Sequence, residues 1–238
     1  MNQFWSKFKW YLIGAGVLLL VVIAVTVGLL AANNNEGPVV AAPERSAAPG
    51  EEVPRVEKVE SQEFEGQGSK KQTFKAGGGL TVFTLTHEGG QNFVVQYGSG
   101  DSQSLLVNEI GNFSGSKAVG LPVGDYTLDI ATRGRWTVKV DQSVPTEAPL
   151  PPKKLEGTGA AASEFFSLKA GPAQFRLTYN GTGLFAPQLI NSADGTVITL
   201  LANELSDFRG EKTVEIFADG IYLVDVTAGG SWTIDISQ

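Results

Sequence analysis

The sequence predicts an all-β protein: two tandem seven-stranded antiparallel β-sandwich modules, jelly-roll-like and products of an internal duplication, preceded by one transmembrane helix and a disordered stalk. Three observations predict it. An uncharged run of 21 residues, Leu12–Ala32, stands near the start of the chain. Apolar residues recur with a period of two over most of the chain beyond residue 63, and the two halves of that region repeat each other.

The run has Thr26 as its one polar side chain, and at ~1.5 Å per residue it spans roughly 30 Å as a helix, the thickness of a bilayer core. Lys7 and Lys9 precede it, and Phe4, Trp5, Phe8, Trp10 and Tyr11 crowd that side as an interfacial belt would. A cleaved leader has a shorter apolar region followed closely by a small-x-small site. Here the nearest, Val40-Ala41-Ala42, lies eight residues beyond the run. Residues 1–10 are therefore expected in the cytoplasm, 11–32 as an uncleaved signal anchor in the lipid bilayer, and the rest outside, which makes a single-pass cell-membrane protein. Residues 33–63 carry four prolines, seven glutamates against three basic residues and no aromatic side chain. Such a segment buries too little apolar surface to fold and reads as a stalk.

A second break, 143–154, contains Pro145, Pro149, Pro151 and Pro152. It separates two segments of similar size, 64–142 and 155–238. Leu105 to Gly115 matches Leu200 to Gly210 at six of eleven positions, and Gly124, Tyr126, Asp129, Gly134, Trp136 and Thr137 recur as Gly220, Tyr222, Asp225, Gly230, Trp232 and Thr233. Within each copy every second residue is large and apolar, as in Tyr126-Thr127-Leu128-Asp129-Ile130 and Trp136-Thr137-Val138-Lys139-Val140, the pattern of half-buried strands. Turn signals at Gly77-Gly78-Gly79, Gly89-Gly90, Asn180-Gly181, Asp194-Gly195 and Gly229-Gly230 punctuate them. Strands are expected near 72–76, 81–87, 92–98, 104–109, 115–121, 125–131 and 135–141 in the first copy. The proline-rich joint offers little surface for an interface, so the modules are expected to fold independently.

The repeat has an opening Phe166-Ser167-Leu168-Lys169-Ala170-Gly171 and a closing G-x-Y followed by W-T-V/I-x-V/I. In this it resembles the bacterial pre-peptidase C-terminal β-sandwich and, more loosely, carbohydrate-binding-module sandwiches. The resemblance covers both modules and implies a sandwich that serves as a binding appendage. Where that family often carries a central D-x-D-L-x-L strand, this chain has Asn92-Phe93-Val94-Val95-Gln96 and Leu184-Phe185-Ala186-Pro187-Gln188.

Composition narrows the chemistry. No cysteine and one histidine exclude thiolate sites, disulfides and a histidine triad in each copy. A net charge of −7 with 18% charged residues does not suit a binder of nucleic-acid phosphates. No P-loop or dinucleotide fingerprint occurs, and no cofactor and no enzymatic activity are expected. His87 shares the parity of Phe83 and Leu85 and reads as a core cap, while Trp136 and Trp232 read as core. Asn108, Glu109, Asn203, Glu204 and Asp207 recur near the same strand end in both copies and are the candidate ligand-binding residues. Asn203, Glu204 and Asp207 offer three oxygens toward calcium, fewer than the six to eight it takes, so loop carbonyls and water would have to complete a site. The function expected is membrane-anchored extracytoplasmic display of two binding modules to a protein, a glycan or an envelope polymer. The alternative is a structural spacer or assembly subunit of an envelope complex.

Overall fold

The computed structural model describes residues 59–238. The expected cytoplasmic end, anchor and most of the stalk lie outside the described residues. The described region is all-β and antiparallel throughout. The first module contains β1 (Gln62–Gln67), β2 (Lys70–Ala76), β3 (Gly79–Glu88), β4 (Asn92–Ser99), β5 (Ser102–Ile110), β6 (Phe113–Leu121), β7 (Gly124–Ala131) and β8 (Arg135–Asp141). They form two sheets, in the orders β1-β8-β3-β6 and β2-β7-β4-β5. Each sheet alternates strands from opposite ends of the sequence, which is the jelly-roll order.

The second module repeats this with β9 (Lys153–Thr158), β10 (Ala161–Ala162), β11 (Phe166–Leu168), β12 (Gly171–Asn180), β13 (Phe185–Asn191), β14 (Val197–Leu200), β15 (Phe208–Ile216), β16 (Gly220–Ala228) and β17 (Ser231–Ser237). Its sheets run β15-β12-β17-β9 and β10-β16-β13-β14, with β11 also pairing β16. β10 and β11 together take the place of β2, interrupted by Ser163-Glu164-Phe165.

Eight strands build the first module where seven are expected from the sequence. The added one is β1, which starts inside the stretch read as stalk. Its sequence, Gln-Glu-Phe-Glu-Gly-Gln, has a single large apolar side chain and little strand propensity. Pairing with β8 overrides that weakness. Gly66 lies opposite Trp136, and Gly157 of β9 opposite Trp232. In both modules the indole lies where a glycine side chain would be: a Cβ added at Gly66 would stand 2.6 Å from Trp136 Cζ2, and one at Gly157 2.5 Å from Trp232 Cζ2. Each indole N–H donates to a carbonyl just beyond its strand partner, Gly68 O at 2.9 Å and Gly159 O at 3.0 Å. Gly66→Ala and Gly157→Ala are therefore expected to destabilise by about 1–3 kcal/mol each through overpacking against a rigid ring, read as lower midpoints in urea.

Each sandwich closes over its own core, Phe74, Phe83, Phe93 and Leu128 among others in the first module and Phe166, Phe175, Phe185 and Val224 in the second. A third apolar cluster joins them. Leu80 and Ala118 of the first module and Ile190 and Leu223 of the second are buried together, flanked by Val82, Ala162 and Phe165. The premise behind the expectation of independent folding, that little surface is available for an interface, is corrected by this cluster. The interface comes from sheet faces, not from the joint whose composition prompted that expectation. The joint is itself tied down, since Ser167 N–H donates to Pro149 O and the Ser167 hydroxyl to Ala148 O, both at 2.8 Å.

Candidate functional site

The junction between the modules is the most heavily built polar site among the described residues. β6 lies along the second module from its β9–β10 turn, where Ser116 N–H donates to Ala160 O at 3.2 Å, to its β13–β14 turn. At the latter, Gly120 meets Gly195 backbone to backbone: a Cβ on Gly120 would stand 2.8 Å from Gly195 O, and Gly195 has φ +73°. Beside this contact opens a cleft of about 600 Å³, lined by Gly78, Gly79, Val123, Asp194 and Thr196.

At the centre of the junction sits Asp225 on β16, fully buried. Its Oδ2 accepts from Lys117 Nζ at 2.5 Å and its Oδ1 from the Ala118 N–H at 2.8 Å. Lys117 Nζ also reaches Thr227 Oγ1 at 3.3 Å. Burial pushes the Asp225 carboxyl above the ordinary carboxylate range, while Lys117 and the Ala118 N–H pull the other way. Taking a carboxylate out of water is costly unless it is paired and hydrogen-bonded, and both Asp225 oxygens receive donors from β6.

The duplication provides an internal control. Asp129 is the counterpart of Asp225, but its cation comes from within its own module: Lys71 Nζ stands 2.6 Å away, on the neighbouring strand β2. Where Lys71 lies, the second module has Ala162, and where Thr127 lies it has Leu223. The face that β6 presents has changed too. Ser116 and Gly120 correspond to Glu211 and Glu215 on β15. The first module's copy of the receiving face and the second module's copy of the inserting face are therefore polar, and neither repeats the apolar contact of the junction. Heterologous contacts that do not close would otherwise give fibres.

The candidate ligand-binding residues do not converge. Asn108 and Glu109 are exposed on β5, while Asn203, Glu204 and Asp207 lie between β14 and β15 of the other module. Their repeat correspondence holds in space, because Glu109 lies opposite Phe93 and Glu204 opposite Phe185. Asp207 Oδ1 accepts the Gly181 N–H at 2.8 Å, and its counterpart Asn112 accepts the Gly89 N–H at 2.9 Å, so both tie a loop to the neighbouring hairpin. Among the described residues no group of three or more His, Asp or Glu is gathered as a metal site.

His87 is buried and stacked on Phe93, ring centroids 4.6 Å apart, as Tyr179 is on Phe185 at 4.7 Å. Its Nδ1–H donates to Gly111 O at 2.6 Å, and its Nε2 is hydrogen-bonded to the Thr132 hydroxyl at 2.7 Å. Thr132 Oγ1 accepts in turn from the Gly134 N–H at 3.1 Å. Both ring nitrogens are hydrogen-bonded inside the core.

The Lys117–Asp225 pair is not evident from the repeat, because period-two alternation alone places Asp225 on the outward face, like Asp129. The signal was nevertheless there. Ile221-Tyr-Leu-Val-Asp-Val226 is apolar at both parities, whereas its counterpart alternates, and a strand apolar on both sides is covered on both.

No protein-family model and no curated protein matches the chain. Among solved structures, a serine-to-alanine mutant of Bacillus subtilis oxalate decarboxylase is 9% identical, with 74% of this chain and 72% of that one covered and a TM-score of 0.15. A superposition that loose carries no argument about fold or chemistry.

Proposed function

We propose that this chain is a membrane-anchored display protein: a single-pass anchor at 11–32, a stalk, and an extracytoplasmic pair of jelly rolls presented to a protein, a glycan or an envelope polymer. The observation that carries the reading is the junction. The buried Lys117–Asp225 pair and the cluster around Leu80 and Leu223 join the two sandwiches into one body, so whatever binds meets two modules at fixed spacing. The sequence supplies the tether, in an uncharged run of bilayer length with lysines on one side. In this reading the chain carries out no catalysis and takes up no nucleic acid, and lipid is its constant partner. Fixed spacing also favours the second reading, a structural spacer or assembly subunit of an envelope complex.

The experiment is protease accessibility on intact cells. Externally added protease should release a fragment containing residues 59–238, while the mature chain recovered from untreated membranes keeps its original N-terminus. A chain starting after Ala42, or a fragment protected until the cells are lysed, would overturn the tether. Excised from its membrane, a display protein should still capture its ligand from envelope extract, whereas a spacer should co-purify with its neighbours only from intact membranes.

A further inference from the structure

An outermost strand of a sheet shows one row of unpaired N–H and C=O groups and is a template for another strand unless it is charged, covered or capped. Among the described residues the terminal strands are treated in those three ways, with one exception. β1, β2, β9 and β15 carry two to four charged side chains each. β6 and β10 cover each other across the junction, and β11 is covered by the joint at Pro149. β14 has four residues, and Lys212 caps it, its Nζ donating to Leu200 O at 2.5 Å and to Thr199 Oγ1 at 3.0 Å.

The exception is β5. It has nine residues with Glu109 as the one charge, and it exposes Leu105 by 54% and Ile110 by 79%. It is hydrogen-bonded to β4 on one side, and no bond reaches the other. Its counterpart in the second module explains why. The lysine equivalent to Lys212 is Lys117, and Lys117 is turned away to Asp225. The residue that would guard Leu105, as Lys212 guards Leu200, is committed to the junction.

We propose that β5 docks on β5 of a second copy of this chain, antiparallel about a two-fold axis at Ser104, which joins two four-stranded sheets into one of eight. Charge selects the occupant. The chain carries −7 overall, yet Ser102 to Asn108 is neutral, so two copies can pair there without like charges in the ladder. With Ser104 opposite itself, Asp101 faces Val107 and Glu109 extends past the ladder, whereas a parallel arrangement would set Glu109 beside Glu109. The centre of the contact, Gln103–Leu105, precedes the irregularity at Leu106, opposite Val95 and Gln96. The contact is isologous and closes at two chains. The alternative route to a second copy, a repeat of the junction, is blocked by Lys71, Glu211 and Glu215.

The test uses the full chain in mild detergent. The chain has no cysteine, so Ser104→Cys can form a disulfide only with another copy, and strands paired at this position bring Cα atoms within disulfide range. The expected result is a two-chain mass by light scattering for the unmodified protein and a covalent dimer for Ser104→Cys on mild oxidation. Leu105→Lys, at a largely exposed position, restores the missing guard. It should halve the mass, and it should abolish the crosslink when combined with Ser104→Cys, with the thermal midpoint unchanged. A single-chain mass for the unmodified protein would overturn the proposal and leave the edge to an extended segment of another protein. A two-chain mass that survives Leu105→Lys would overturn it too, placing the dimer contact elsewhere.

Discussion

Replacing Lys117 by alanine should cost about 3–5 kcal/mol at neutral pH, the usual penalty for leaving a buried charge without its partner. Asp225 would keep one hydrogen bond, from the Ala118 N–H, in a site with no exposure to water. The pH dependence identifies the cause. Burial raises the folded-state pKa of Asp225 above its unfolded value, so its charged form opposes folding: the neutral form is tolerated below the unfolded pKa, and stability is lost as pH rises through the folded one. Removing the lysine takes away the main counterweight and pushes that folded value higher. The gap between wild type and Lys117→Ala should therefore narrow as pH falls toward the ordinary carboxylate range. A gap of constant size from neutral to acid pH would show that lost packing, not an unpaired carboxylate, is responsible. The double replacement Lys117→Met with Asp225→Leu should recover part of the loss, because an apolar pair of similar volume needs no desolvated charge but leaves the Ala118 N–H without its acceptor.

Trp232→Ala should destabilise the second module by about 3–5 kcal/mol, as emptying a core aromatic site does. Trp136→Ala should do the same in the first. Both indoles are almost wholly buried and hydrogen-bonded through Nε1. From the sequence alone, each loss would be confined to its own module. With the junction in place it is shared, because unfolding the second module exposes Leu80 and Ala118 and withdraws Asp225 from Lys117. Calorimetry of Trp232→Ala should therefore show the first module melting earlier as well. An unshifted first-module transition would mean that the junction contributes nothing to stability.

Much of the architecture was legible. Period-two alternation placed seven strands of the first module close to β2 through β8, because each buries one face against a single core. The repeat alignment placed Glu109 with Glu204 and Asn112 with Asp207, and these pairs occupy matching positions in space. β1 was hidden because its ladder consists of backbone bonds to β8, its side chains add only Phe64 to the core, and its remaining bonds run from the Gln62 amide to the Lys75 backbone. The junction was hidden for another reason. Alternation tells which residues of a strand share a face, but not which face of one module meets which face of the other. Only the departures between copies carry that information: Ala162 against Lys71, Leu223 against Thr127 and Gly120 against Glu215. The candidate ligand residues were selected for recurring in both copies, and recurrence there marks loop-tying side chains such as Asp207 and Asn112.

The pairing of β1 with β8 has a mechanical consequence. Gln62, where the described chain enters the first module, lies opposite Val140, and the ladder runs from there to Gln67 opposite Arg135. Tension arriving from upstream and resisted at the far end of the sandwich pulls β1 lengthwise past β8. Antiparallel ladder bonds lie perpendicular to the strands, so such a load falls on the whole ladder at once instead of opening it one bond at a time. A strand of weak intrinsic propensity thus stands where such tension would enter, with its ladder bonds loaded together.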